Sequence, residues 1–203
     1  MEFLCAHNLT CARGERTLFK DLSFQVNAGE LLYVRGSNGA GKTSLLRLLV
    51  GLAKPVAGEI KWKGVPAEKC SEEFRKDTLY LGHHGALKGE LSALENLKFS
   101  AAMDGLDLNE SEALSALAVF GLKGRERLPV EWLSAGQKRR VLLARLTLRK
   151  AKLWILDEPL NALDVNATQF LLDMILDHLQ QQGAVIMTSH QLFELPNMKE
   201  LVL

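Results

Sequence analysis

Paired cysteines, excess charge and long apolar runs are all missing from this 203-residue sequence, and each absence removes a class of protein. The three cysteines, Cys5, Cys11 and Cys70, are odd in number and far apart. Without the spacing of a zinc site or a disulfide framework, they read as free thiols. Lysine and arginine total 25 against 24 aspartates and glutamates, so no bulk attraction draws the molecule to nucleic acid, and no nucleic-acid partner is expected. No run approaches the roughly 18 uninterrupted apolar residues of a bilayer span, and even "LLRLLVGLA" is broken by Arg47. The opening "MEFLCAHNL" carries Glu2 and no basic lead-in to an apolar segment, so no secretory signal and a cytoplasmic location are expected. No internal repeat or low-complexity tract is visible.

With 47% hydrophobic residues, the chain can bury one substantial core of ordinary domain size, with room for a smaller subdomain. Extended segments are expected at Glu2 to Leu9, at "LSFQV", at "LLYVR", at "EIKWKG" and at "TLYLG". Thr43 to Val50 reads as a helix, with leucines at 45, 46, 48 and 49 facing a sheet, and Ser71 to Lys76 as a short helical turn. From Leu91 to about Lys150 the pattern turns helical, in "LSALENLKFSAAM", "NESEALSALAVFGL" and "SAGQKRRVLLARLTLRK". Strand, helix and strand then follow in "KLWILDEP", Ala167 to Gln182 and "AVIMTSH". Apolar strands separated by helices predict an α/β fold with a mostly parallel sheet covered on both faces, interrupted by an inserted helical subdomain. Chemistry is expected where the strands end.

Gly36, Gly41, Lys42 and Thr43 fit G-x-x-x-x-G-K-[ST], enclosing Ser37, Asn38, Gly39 and Ala40, after a predicted strand and before a predicted helix. Glycines let successive amides curl inward, and the helix start adds its own amides and positive dipole end, so the turn suits a polyphosphate. Lys42 can reach the β and γ phosphates, and the Thr43 hydroxyl suits a magnesium ion, with Ser44 beside it.

"LWILDEP" delivers Asp157 and Glu158 at the exit of an apolar strand. Carboxylates there must be paired or linked to metal. Asp157 can hold magnesium through water, and Glu158 can orient or deprotonate an attacking water. "AVIMTSH" repeats the pattern and ends at His190. Alone this is an ordinary boundary histidine; with the two preceding motifs it reads as a partner of the γ phosphate or of Glu158. "LSAGQKRRVLLAR" starts a helix at Ser134, whose hydroxyl, small residues and amides at Ala135, Gly136 and Gln137 suit an anion. With the first loop already committed, that anion belongs to a different nucleotide.

The order of these motifs resembles the ABC-type ATPases over essentially the whole chain. The resemblance implies a P-loop NTPase core with an N-terminal antiparallel β portion, a single ATP-binding domain over residues 1–203, and a helical subdomain within about 86–150. It implies ATP and magnesium as ligands, and a second copy of the chain in a head-to-tail sandwich. The loop Gly36 to Thr43 of one copy and Ser134 to Gln137 of the other then enclose each nucleotide. Asp157 and Glu158 become the magnesium and catalytic acids, Ala162 to Asp164 the loop that communicates between sites, and His190 the switch histidine.

Three positions depart from the family pattern. Ala135 precedes Gly136 where a glycine is usual; His84, in "HHG", stands where a glutamine normally touches magnesium; and Arg13 lies near the place of an adenine-stacking aromatic. The His83–His84 pair, with no third ligand evident, reads as a substituted sensor loop, or as a solvent-exposed pair, rather than a metal or haem site. "SNGAGKTSLLRLLVGL", "YLGHHGALKGELSALENL" and "LWILDEPLNALD" are similar to ATP-binding subunits of cytochrome c maturation exporters. That similarity implies a peripheral subunit on the cytoplasmic face of the inner membrane. It would be bound to integral-membrane cytochrome c maturation subunits, with partner contact near Ala86 to Leu91. Other small ABC transporters and soluble Fe–S assembly ATPases are the alternatives.

Overall fold

The computed structural model describes residues 2–82, 87–191 and 193–203. Strands β1 (Glu2–Arg13) and β2 (Arg16–Asn27) form a long antiparallel hairpin, well beyond the short segments expected. The period-two pattern breaks at Asn8, which has φ 49°, and the pairing shifts register there. One extra residue returns Leu9 to the face already occupied by Leu4 and Ala6, all three buried. With β4 (Ala57–Trp62) and β5 (Val65–Pro66) the hairpin makes a four-stranded sheet, order β2-β1-β4-β5.

The second sheet is parallel throughout, from β3 (Leu31–Arg35), β6 (Thr78–Leu81), β7 (Leu153–Leu156), β8 (Ala184–Thr188) and β9 (Met198–Val202), in the order β6-β7-β8-β3-β9. Every residue of β7 and β8 is buried, as central parallel strands require. The edge strand β9 escapes sequence reasoning because "MKELV" carries two adjacent charges among five residues; Glu200 pairs with Arg35 and Lys199 with Glu30. Helix α1 (Lys42–Leu49) buries Leu45, Leu46, Leu48 and Leu49 in one core with Leu4 and Trp62 of the first sheet and Val34, Ile155 and Ile186 of the second. Helix α2 (Ser71–Asp77) adds Phe74, whose ring lies 5.4 Å from Trp62.

The chain divides into two compact units, Met1–His83 with Ala151–Glu158 and Leu172–Leu203, and His84–Lys150 with Pro159–Leu171. The second unit holds α3 (Ala93–Met103), α4 (Glu110–Val119) and α5 (Ala135–Leu143). Each begins with a reciprocal capping box, Ser92 with Glu95, Asn109 with Glu112, and Ser134 with Gln137. The last expected helix is shorter than its apolar pattern: α5 gives way to a 3-10 turn at Ala144–Thr147, where the Thr147 hydroxyl donates to the Ala144 carbonyl. Helix α6 (Val165–Gln180) starts two residues earlier than expected because Asp164 caps it, Oδ1 accepting from the Ala167 amide at 2.8 Å.

His178, near the end of α6, stacks on Trp154 with ring centroids 3.9 Å apart and planes 5° from parallel. Gly183 is obligatory beside it, since a Cβ there would come within 2.2 Å of Nε2. Burial, against weaker support from the Lys152 and Ala184 backbone, lowers the His178 pKa from 6.5 to about 4. The unfolded chain therefore takes up this proton first as pH falls, so His178 favours the folded state fully above pH 6.5 and loses that contribution on the way to pH 4. The loss is of order 3 kcal/mol for a shift of this size. Urea unfolding from pH 7 to pH 4 should show this slope, and His178→Phe should flatten it; an unchanged slope in the variant would assign the acid sensitivity elsewhere.

Candidate active site

Three adjacent parallel strands, β3, β8 and β7, end on the same edge of the sheet. Their outlets are the glycine-rich turn, Ser189 with His190, and Asp157 with Glu158. The turn from Gly36 to Gly41 carries left-handed backbone at Gly39 (φ 82°) and Gly41 (φ 109°). Space is also tight at Gly41, where a Cβ would lie 3.1 Å from Leu18 and 3.2 Å from the Phe19 ring on β2. The Lys42 ammonium is held over the loop, donating to the Gly36 carbonyl at 2.7 Å and the Ser37 carbonyl at 3.3 Å. Unlike α3, α4 and α5, helix α1 has no side-chain cap. Its first-turn amides therefore face the loop without a side-chain acceptor, which fits a phosphate chain.

Asp157 is fully buried and Glu158 nearly so. One hydroxyl organises both: Thr188 Oγ1 donates to Asp157 Oδ1 at 2.8 Å and accepts from the Glu158 amide at 2.9 Å. Glu158 sits at φ 52°, a left-handed conformation that costs a non-glycine residue energy and turns its side chain off the strand line. Its carboxylate accepts from the His190 amide at 3.1 Å, and the His190 ring Nε2 lies 3.3 Å away. Tyr33 fixes the same outlet, donating to the Ser189 carbonyl at 2.9 Å. Thr188, Tyr33, Leu18 and Phe19 are thus supporting residues that sequence reasoning missed. None carries a motif, and only Thr188, a buried polar residue ending an apolar strand, left a signal.

Magnesium suits the oxygen donors present, the Thr43 hydroxyl and the Asp157 carboxylate, because this ion uses few protein ligands and completes its shell with phosphate and water. Among the described residues no group of three or more His, Cys, Asp or Glu could hold a metal by itself. Arg13 lies exposed at the tip of the β1–β2 hairpin, opposite Arg16. His83, His84 and Ala86 lie outside the described residues. Of the expected partner-contact segment, Lys88 and Leu91 are fastened by buried Asn96, whose amide donates to both carbonyls.

In the helical unit, Ser134 is exposed and its hydroxyl accepts from the Gln137 amide at 3.2 Å. One first-turn amide is therefore already used, leaving those of Ala135 and Gly136 for an anion. The Ala135 departure also has a physical account. Ala135 is exposed and tolerates its methyl, whereas a Cβ on Gly136 would come within 2.6 Å of the Ala162 carbonyl.

A family model described as ABC transporter matches residues 19–161. The chain belongs to the ABC transporter family. It is an ATP-hydrolysing domain of the ABC type. It is 52% identical to the cytochrome c biogenesis ATP-binding export protein CcmA of Nitrosomonas europaea, over 94% of this chain and 90% of that relative. The protein of the same description from Escherichia coli K12 is 50% identical over the same shares. Among solved structures, a putative ABC transporter ATP-binding protein from Pyrococcus furiosus superposes with TM-score 0.82 at 27% identity, covering 98% of this chain and 96% of that one. The ATP-binding cassette MJ0796, a dimer in a post-hydrolysis state with ADP and phosphate, shares the fold with TM-score 0.80 at 21% identity, covering 93% of this chain and 88% of that one. No helix among the described residues is long and apolar enough to cross a membrane.

Proposed function

We propose that this chain, residues 1–203 acting as one ATP-binding domain, powers a membrane assembly for c-type cytochrome biogenesis from the cytoplasmic face of the inner membrane. The likeness to proteins described as cytochrome c biogenesis export subunits, extending over 94% of the chain, supports the assignment to that assembly. For the chemistry, the observation that carries the reading is the Glu158 carboxylate, nearly buried and held by the His190 amide and ring.

In this reading Gly36 to Ser44 wrap the phosphates, with Lys42 on the β and γ groups. Arg13 lies against the adenine, and His84 serves the sensor loop that follows β6. Thr43 and Asp157 would hold magnesium, which supplies neutralisation of charge on the β and γ oxygens. Glu158 orients a water and takes its proton as the water oxygen bonds to the γ phosphorus. The bond from that phosphorus to the β–γ bridging oxygen breaks, leaving ADP and phosphate. His190 keeps Glu158 in line and contacts the γ phosphate. Ser134, Gly136 and Gln137 act on the nucleotide of a second copy in a head-to-tail dimer. Closure and reopening of that dimer drive integral-membrane subunits that export haem or release a haem-loaded chaperone.

A mild-detergent pulldown of the tagged chain from its native membranes, read by mass spectrometry, tests the assembly. Integral-membrane cytochrome c maturation proteins should copurify in amounts comparable to the bait. Recovery of soluble scaffold proteins alone would overturn the proposed assembly.

A further inference from the structure

Two of the three tryptophans are buried, Trp62 at 1% exposure and Trp154 at 5%, whereas Trp132 is left 71% exposed. It ends a 3-10 turn, Val130–Trp132, just ahead of α5. The backbone beneath the ring is fully engaged. The Trp132 amide donates to the Pro129 carbonyl at 3.0 Å, the Leu133 amide to the Val130 carbonyl at 3.1 Å, and Lys138 Nζ to the Glu131 carbonyl at 3.3 Å. Val130 and Leu133, to either side, are buried. Two other aromatics are exposed, and each is partly covered: Phe99 by the Lys88 ammonium 4.0 Å from its ring centroid, and Phe170 by an edge-on contact with Phe120 at 5.4 Å. Trp132 has neither a ring nor a cation against it among the described residues. A large flat side chain held out on bonded backbone is built for recognition rather than for packing.

The unit that carries Gly36 to Ser44 has the opposite shortage. Among the described residues, each of its phenylalanines, tyrosines and tryptophans is buried or half-buried, so none presents a widely exposed ring. A nucleotide seated there by its phosphates can meet the exposed Arg13 guanidinium on one face of its base, and the other face lacks an aromatic plane. We propose that Trp132 of the second copy supplies that plane, stacking on the base of the nucleotide held by this chain's phosphate loop. The proposal rests on the reading of Ser134 as the contact to the other copy's nucleotide. Leu133, between the two residues, is extended at φ −80° and ψ 146°, which puts the Trp132 and Ser134 Cα atoms about 7 Å apart. A nucleoside triphosphate is longer than that, so serine on phosphate and indole on base are compatible. Stacking also suits a site without a polar pocket, because it needs only the flat face that every base offers.

Trp132→Ala and Trp132→Phe should be compared with the unaltered full chain, purified with the membrane proteins that accompany it, each carrying Glu158→Gln so that nucleotide persists. Equilibrium binding of ATP is measured beside that of inorganic tripolyphosphate, which has no base. Trp132→Ala should weaken ATP binding by about 5- to 150-fold, the effect of removing one aromatic from under a base, and leave tripolyphosphate binding unchanged. Trp132→Phe should keep most of the affinity. A second measurement places the base directly: an azido-adenine analogue of ATP, photolysed on the unaltered ring, should label the peptide containing Trp132. Unchanged ATP affinity in Trp132→Ala, or equal losses for ATP and tripolyphosphate, would overturn the stack. Loss of the membrane proteins from the purified Trp132→Ala sample, with ATP affinity intact, would assign the ring to a protein contact instead. Failure of the underlying reading looks different: Ser134→Ala would then bind ATP as tightly as the unaltered chain, whatever the Trp132 variants do.

Discussion

Glu158→Gln should cut ATP turnover by about 100- to 10,000-fold, the range that a positioned base contributes, and leave ATP binding intact. The substitution is nearly isosteric. A glutamine oxygen still accepts from the His190 amide, so the left-handed turn at residue 158 and the Thr188 contact to its backbone keep their partners. What disappears is the negative charge and the capacity to take a proton. The expected protein is therefore a folded, ATP-loaded chain that closes with its second copy and stays closed. Single-turnover hydrolysis with equilibrium nucleotide binding on the same sample checks both halves. Turnover within a few-fold of the unaltered chain would remove Glu158 from the role of base, and a matching loss of binding would make it a ligand instead.

Lys42→Ala should act at the opposite end of the site, on affinity. Its ammonium is 2.7 Å from the Gly36 carbonyl, poised over the loop by α1, and each charge-assisted hydrogen bond to phosphate is worth roughly 1.5–3 kcal/mol. Losing one or two such bonds should weaken ATP binding by about 10- to 10,000-fold. Lys42→Arg should not rescue it, because a planar guanidinium cannot occupy a place shaped for a compact point charge beside the glycine turn. Isothermal titration with ATP and with ADP separates the contributions: a larger loss for ATP places the ammonium at the γ phosphate. An affinity unchanged by Lys42→Ala would leave the turn as a backbone-only cradle.

The two substitutions also separate binding from chemistry on one edge of one sheet, and that separation follows from the strand order. Lys42 follows β3, Glu158 follows β7, and β8 lies between them, ending at Thr188 and leading to His190. Lysine at the start of α1 is held by the loop that it closes. Glu158 is held by a neighbouring strand's outlet, so its orientation depends on β8 pairing in register with β7.

The sequence by itself singled out the glycine-rich turn, the two acids and His190 as candidates and determined the alternation of strand and helix, because each of these is written in local spacing. A glycine pattern between strand and helix, or an apolar run ending in Asp-Glu, needs no distant residue to be recognised. The capping boxes at Ser92, Asn109 and Ser134 are equally local. Only the tertiary structure decided which residues support that chemistry. Thr188 meets Asp157 across 31 positions and Tyr33 meets Ser189 across 156, while Phe19 of the antiparallel sheet crowds the space beside Gly41. The same holds for β9, whose charged sequence becomes a strand only because β3 offers it a free edge, and for Gly136, whose lack of a side chain is explained by a carbonyl at Ala162. Such contacts depend on pairing order and close approach between distant segments, and no local periodicity encodes either.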